Sequence, residues 1–184
     1  GDGSIRLIYS GDEESGPATI GEVTQIGTSA FNLENYNRNE YVGYMYTEGE
    51  QHGNTTDSTI KGVLDDWYNN NLKSYADKIS TEAGFCGDRE MASGYSWSSQ
   101  PRYTIYYAGY GRLVQNSSNV NPSFKCSNSS DLYTTSLSSK GNKALSNPIG
   151  LITADEVTMA GLPFKGSTTS NYLYTGQHYW TMSP

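Results

Sequence analysis

The run "IGLITADEVTMAG", residues 149–161, changes character twice within thirteen positions. It begins apolar, and Ile149, Leu151 and Ile152 suit the buried end of a strand. Thr153 then stands where a helix cap belongs, because its hydroxyl can accept a backbone N–H two or three residues on. Glu156 lies three positions later and can reach back to the N–H of Thr153, which completes a capping box. Asp155 and Glu156 also suit the positive end of a helix dipole. Val157 and Ala160 are expected to face inward, and Gly161 to end the helix in a left-handed conformation. The junction reads as structural, with Glu156 as a cap.

Outward from this junction the chain is less patterned. Its 184 residues are enough for one domain with a sizeable core, so residues 1–184 are read as a single domain. Net charge is −7 and the isoelectric point about 4.7, with no basic stripe. Nucleic acid and anionic membrane surfaces are therefore not expected partners. Aliphatic residues are sparse beside 16 Tyr and 20 Gly. Tyr combines an apolar body with a polar tip, and Tyr/Ser/Asn/Gly mixtures suit binding loops. No apolar run approaches the length of a membrane span.

The longest predicted helix is "DSTIKGVLDDWYNNNL", residues 57–72. Asp57 or Ser58 caps it, and Ile60, Val63, Leu64 and Trp67 form an apolar stripe at helical spacing. Leu72, Tyr75 and Ile79 extend that packing beyond a break at Asn69 to Asn71. Trp67 reads as a core anchor, and Asp65 and Asp66 as a solvated face. Strands are predicted at three places, the last of them at the C-terminal end. "SIRLIYS", residues 4–10, alternates Ile5, Leu7 and Tyr9 against Arg6, Ile8 and Ser10. "YVGYMY" covers residues 41–46. "GDG" before the first strand reads as a turn that implies a partner strand upstream. Residues 11–27 read as an exposed acidic loop, and "NYLYTGQHYWTMSP", residues 171–184, as a strand followed by an unfinished turn. The predicted class is α+β, two helices beside short, mostly antiparallel strands and long loops.

Cys86 and Cys126 are the two cysteines. Neither lies in a Cys-x-x-Cys pair, and only His52 and His178 could join them at zinc, so one disulfide is the better reading. The bridge would close about 41 residues of Ser-, Tyr- and Asn-rich chain, contributing roughly 3–4 kcal/mol, and would imply an oxidising, extracellular setting. Two buried free thiols in a cytosolic protein are the alternative. Between the cysteines, Trp97, Tyr103, Tyr106, Tyr107 and Tyr110 form the candidate ligand-binding set.

Motifs for established chemistries are mostly missing. There is no His-Glu-x-x-His, Gly-x-Ser-x-Gly or Gly-x-Gly-x-x-Gly. In "GLPFKGST", residues 161–168, Lys165 precedes Gly166 in the wrong order for a phosphate loop. "GDGS" and "SNSSD" hold too few spaced carboxylates for a calcium loop. No metal and no cofactor are expected. A Ser/His/Asp triad assembled across loops stays open as the enzymatic alternative, because such triads converge in space. Asn54, Asn116 and Asn128 stand in Asn-x-Ser/Thr sequons, which matter only in a eukaryotic secretory host.

"GDGSIRLIYSG", "YVGYMY", "NTTDSTIKGVLDDWYNNNL", "FCGDRE", "GLITADEV" and "YLYTGQHYWTMSP" together resemble a family of surface proteins from gut Firmicutes. Many of its members look like pseudopilins or type IV pilin-like proteins. The resemblance spans nearly the whole chain in order. It implies a C-type-lectin-like fold of the formylglycine-generating-enzyme type. In that fold a strand enters a helix through a Leu-x-Thr-x-x-Glu element, matched by Leu151, Thr153 and Glu156. It also implies a strand before residue 1, with an N-terminal hydrophobic helix in pilin-like members. As in related targets of diversity-generating retroelements, it implies a variable Tyr- and Asn-rich binding segment after residue 184. Residues 4–10 are then expected as a strand with an unfilled or externally filled edge. Enzymatic roles do not carry over, because the closely spaced active-site cysteine pair is lacking. The lectin calcium motifs Glu-Pro-Asn and Trp-Asn-Asp are lacking too. The implied function is a non-enzymatic extracellular display or adhesion module, pilin-like or on a bacterial or phage-encoded surface protein. Its partner would be a protein or glycan ligand, or neighbouring subunits. A hydrolase and a purely structural filament subunit are the alternatives.

Overall fold

The computed structural model describes residues 5–9, 25–33, 38–99, 105–115, 119–162 and 171–184. Its elements are mixed, with helices beside three small antiparallel ribbons, an α+β architecture. β1 (Met45–Tyr46) pairs with β2 (Thr56–Asp57), placing Met45 opposite Asp57. The helix α1 (Thr59–Asn71) follows at once. β3 (Phe85–Cys86) pairs with β4 (Leu132–Tyr133), Phe85 opposite Tyr133. Between them lie a single turn, α2 (Ala108–Tyr110), and the π-helix Gly111–Gln115. β5 (Leu137–Ser138) and β6 (Gly141–Asn142) form the last ribbon, ahead of α3 (Ala154–Met159).

The junction at residues 149–161 folds as its sequence dictates at the helix. Thr153 Oγ1 accepts the Glu156 N–H at 3.1 Å, and Glu156 Oε2 accepts the Thr153 N–H at 2.8 Å. At the other end Leu162 N–H donates to Val157 O (3.1 Å) and Gly161 N–H to Thr158 O (3.0 Å), a complete Schellman closure. Gly161 adopts φ +89°, the conformation that favours glycine there. The apolar entry is not a strand. Ile149 and Leu151 pack on the core, and Ile152 O accepts the Met182 N–H at 2.8 Å. Gly150 lets this entry pass Phe85, since a Cβ there would stand 2.5 Å from the ring.

The core gathers Tyr44, Met45, Ile60, Leu64, Tyr133, Leu145 and Met182, with Phe31, Phe85, Ile149 and Leu151 packed around it. Helix α1 is capped by Ser58, whose Oγ accepts the Lys61 N–H at 3.3 Å and donates to Tyr44 O at 2.7 Å. Its inward face is Ile60, Lys61, Leu64 and Tyr68. The expected stripe is therefore turned by about one residue, and Val63 and Trp67 are only half-buried. Lys61 causes the shift. Its aliphatic stem is buried and its Nζ pairs with Asp57 (3.0 Å) and Asp65 (2.6 Å), one turn away on either side. Asp65 also accepts from Asn147 Nδ2 at 2.7 Å, so only Asp66 belongs to a solvated face. Past Asn71 the chain tightens into the 3-10 helix Lys73–Lys78, which buries no residue and leaves Tyr75 exposed, so the packing predicted from Leu72 to Ile79 does not form.

Three strand expectations change. Of residues 41–46 only Met45 and Tyr46 are in a strand, because Tyr41 closes the 3-10 helix Asn39–Tyr41. Residues 5–9 form no strand. Arg6 instead pairs with Glu156 at 2.7 Å and lies over the Phe85 ring, and Tyr9 meets Trp67 edge-on. Ile5 and Leu7 stay exposed, and no strand among the described residues pairs with this segment. Residues 171–184 also lack a strand, and Met182 anchors this segment in the core. Most of the expected acidic loop at residues 11–27 lies outside the described residues.

Candidate binding face

The segment around residues 91–110 builds an aromatic surface by simple alternation. Ala92 N–H donates to Tyr106 O and Ala108 N–H to Glu90 O, about a bridge of Met91 with Tyr107. Neighbouring side chains on such a pairing point to opposite sides. Tyr106 thus faces out, and Tyr107 faces in with 7% of its surface exposed. The turn of α2 carries Tyr110 four positions on, where its ring stacks on Tyr106 with centroids 4.2 Å apart at 21°. Tyr95 meets the same ring edge-on at 4.9 Å. Three phenols therefore stand in one ladder, each with an apolar ring and a hydroxyl that can donate or accept.

Of the candidate set, Tyr106 and Tyr110 belong to this ladder. Tyr107 supports it from behind, donating its hydroxyl to Asn39 O at 3.2 Å. Burial raises the Tyr107 pKa, while the nearby Arg89 guanidinium acts against the rise. Trp97 is half-buried and its indole nitrogen is shielded from water. Tyr103 lies outside the described residues. Tyr95 was not singled out from sequence, because its part depends on contact with a ring eleven positions away.

Behind the ladder a buried ionic framework fixes the loops. The backbone N–H of Arg89 donates to Asp131 Oδ2 at 2.7 Å, and the guanidinium, fully buried, donates to Met45 O (3.2 Å), Gly53 O (3.4 Å) and Glu40 O (3.4 Å). One side chain thus satisfies carbonyls from strand β1, the loop at Gly53 and the 3-10 helix Asn39–Tyr41, which would otherwise be costly to bury. Burial pushes the Asp131 pKa up, and the Arg89 N–H and His52 act against that rise. Arg112, on the π-helix, holds Asp155 of α3 through two 2.8 Å bonds and also pairs with Asp88. Those hydrogen bonds, led by Asp155, raise its pKa and hold it charged. None of these partnerships was visible in sequence, since the residues joined are 24 to 79 positions apart.

Cys86 and Cys126 are bonded, with their Cα atoms 5.7 Å apart. The bridge ties β3 to the polar segment that precedes β4.

His52 Nδ1 lies 3.0 Å from Asp131 Oδ2, the arrangement of a base and its orienting carboxylate. Its other nitrogen, however, faces Glu90 Oε1 at 3.6 Å, so an acidic group stands where a nucleophile would be required. His178 is exposed. Among the described residues no cluster of three or more His, Cys, Asp or Glu could hold a metal, and no helix is long and apolar enough to cross a membrane. No family model, no curated protein and no solved structure matches this chain.

Proposed function

We propose that the chain is a non-enzymatic, extracellular binding module that presents the Tyr95–Tyr106–Tyr110 ladder to a protein or glycan ligand. A pilin-like or other bacterial surface protein of C-type-lectin-like architecture is the setting that the sequence resemblance favours. The observation that carries the reading is the ladder itself. Three tyrosines share one ring-to-ring surface. Tyrosine gives large contact area at small entropic cost, and here Tyr106 is exposed with Tyr95 and Tyr110 half-buried against it. The disulfide fits an oxidising compartment. The alternative hydrolase is disfavoured by Glu90 at the free side of His52.

Arrays of host glycans and of extracellular-matrix proteins, probed with the purified chain, test this reading, with turnover of generic ester and peptide substrates measured in parallel. Saturable binding to an array member without turnover is expected. Turnover lost in His52→Ala, with no binding on either array, would replace the reading with the hydrolase.

A further inference from the structure

A second place on the molecule, separate from the tyrosine ladder, has the composition of a ligand site. A cavity of about 440 Å³ opens beside the disulfide, between the entry to α3 and the segment around Phe124. Small-molecule sites span about 300–1,000 Å³. Its charged lining is Arg6, Arg112 and Lys125 with Asp88, Asp155 and Glu156. Three cations therefore face three carboxylates, in a chain with 12 basic and 19 acidic residues overall. The charges are mostly spent on each other. Arg112 is shared by Asp88 and Asp155, and Arg6 is paired with Glu156. An ionic ligand would give up its hydration without meeting a net countercharge. A neutral ligand rich in hydroxyls meets fixed donors and acceptors at no such cost.

Two further features point the same way. Asp88 is 94% buried at its side chain, and its Oδ1 has no hydrogen-bond partner although Oδ2 pairs with Arg112. An unmade acceptor on a buried carboxylate is costly, and a rotation of the carboxylate would offer it to a hydroxyl in the cavity. Phe124 stands on the rim with 69% of its surface exposed, in a segment otherwise polar. An exposed aromatic ring beside fixed polar groups matches the two sides of a sugar ring, one of C–H groups and one of hydroxyls.

We propose that this cavity binds a neutral saccharide, with Phe124 under the ring and the Asp88–Arg112–Asp155 group on its hydroxyls. The test is saturation-transfer NMR on the whole chain with free glucose, galactose, mannose, N-acetylglucosamine and their disaccharides. Glucosamine, glucuronic acid and sialic acid serve as charged counterparts. At least one neutral sugar should bind. Phe124→Ala should weaken it about tenfold or more, Phe124→Tyr should retain it, and Tyr106→Ala/Tyr110→Ala should leave it unchanged. Phe124 is exposed, so its loss is not expected to disturb folding, and an unchanged melting temperature checks this. The proposal is overturned if no sugar binds, if only charged sugars bind, or if Phe124→Ala binds as the native chain does. A sugar signal that disappears with the tyrosine pair and survives Phe124→Ala would assign binding to the ladder and remove it from the cavity.

Discussion

Thr153 and Glu156 satisfy each other's backbone N–H groups within a span of four residues. Such an exchange depends on no distant part of the chain, which is why it was readable from "TADE" alone. Thr153→Ala should lower stability by about 0.5–2 kcal/mol, the usual range for a lost helix cap. Denaturant unfolding checks this, and binding at the tyrosine ladder should be unaffected, because neither Thr153 nor Glu156 is among the ladder's ring contacts. Arg89 is the opposite case. Nothing in its sequence neighbours says that its guanidinium will hold three carbonyls from distant parts of the chain. Arg89→Ala should cost more than the cap, about 3–5 kcal/mol, since it strips partners from buried groups. An urea midpoint shift smaller than that of Thr153→Ala would contradict the framework described above.

Helix α1 shows how a correct element can carry a misplaced face. Its start at Ser58 was legible, because capping is local. Its buried side was read by counting apolar residues, which treats Lys61 as a solvent position. Flanked by Asp57 and Asp65, Lys61 is buried, and the helix rotates to put Tyr68 inward instead of Trp67. Tyr68→Ala should therefore destabilise by about 3 kcal/mol or more, as large buried aromatics do, while Asp66→Ala stays within about 0.5 kcal/mol. Thermal or denaturant melts of the two variants separate these faces directly. The ribbons were harder to read, because strands of two residues have no period to detect. Likewise Met182 gives no local sign that it fills the core, and the alternating run described at residues 5–9 forms no strand. In the ladder, Tyr106 and Tyr110 were within reach of composition, whereas the inward turn of Tyr107 follows from a pairing between distant segments.

At the scale of the whole molecule, the sparse aliphatic core leans on buried tyrosines, and this gives the fold a characteristic alkaline limit. Burial raises the pKa of both Tyr44 and Tyr133 well above the ordinary value of 10.0. In the unfolded chain both would ionise near that value, while the folded chain keeps both protons. Their stabilising contribution is thus complete below pH 10 and is lost as pH rises beyond it. With two protons held more tightly by the folded state, the slope should approach roughly 2.7 kcal/mol per pH unit above pH 10. Urea midpoints measured from about pH 9 to about pH 11 read this slope. The Cys86–Cys126 bridge is the second support, closing a separation of 40 residues. Reducing it should cost about 3–4 kcal/mol in the chain-entropy model and add the mass of two hydrogens to the intact chain.

In the function proposed above, the disulfide-tied framework serves to hold the tyrosine ladder as a binding surface. The double variant Tyr106→Ala/Tyr110→Ala tests it most directly when its affinity for the ligand identified on the arrays and its melting temperature are measured on the same sample. A loss of affinity of about tenfold or more is expected, since a few aromatic contacts dominate interface energetics, with a melting temperature close to that of the native chain. Full affinity in the double variant would contradict it.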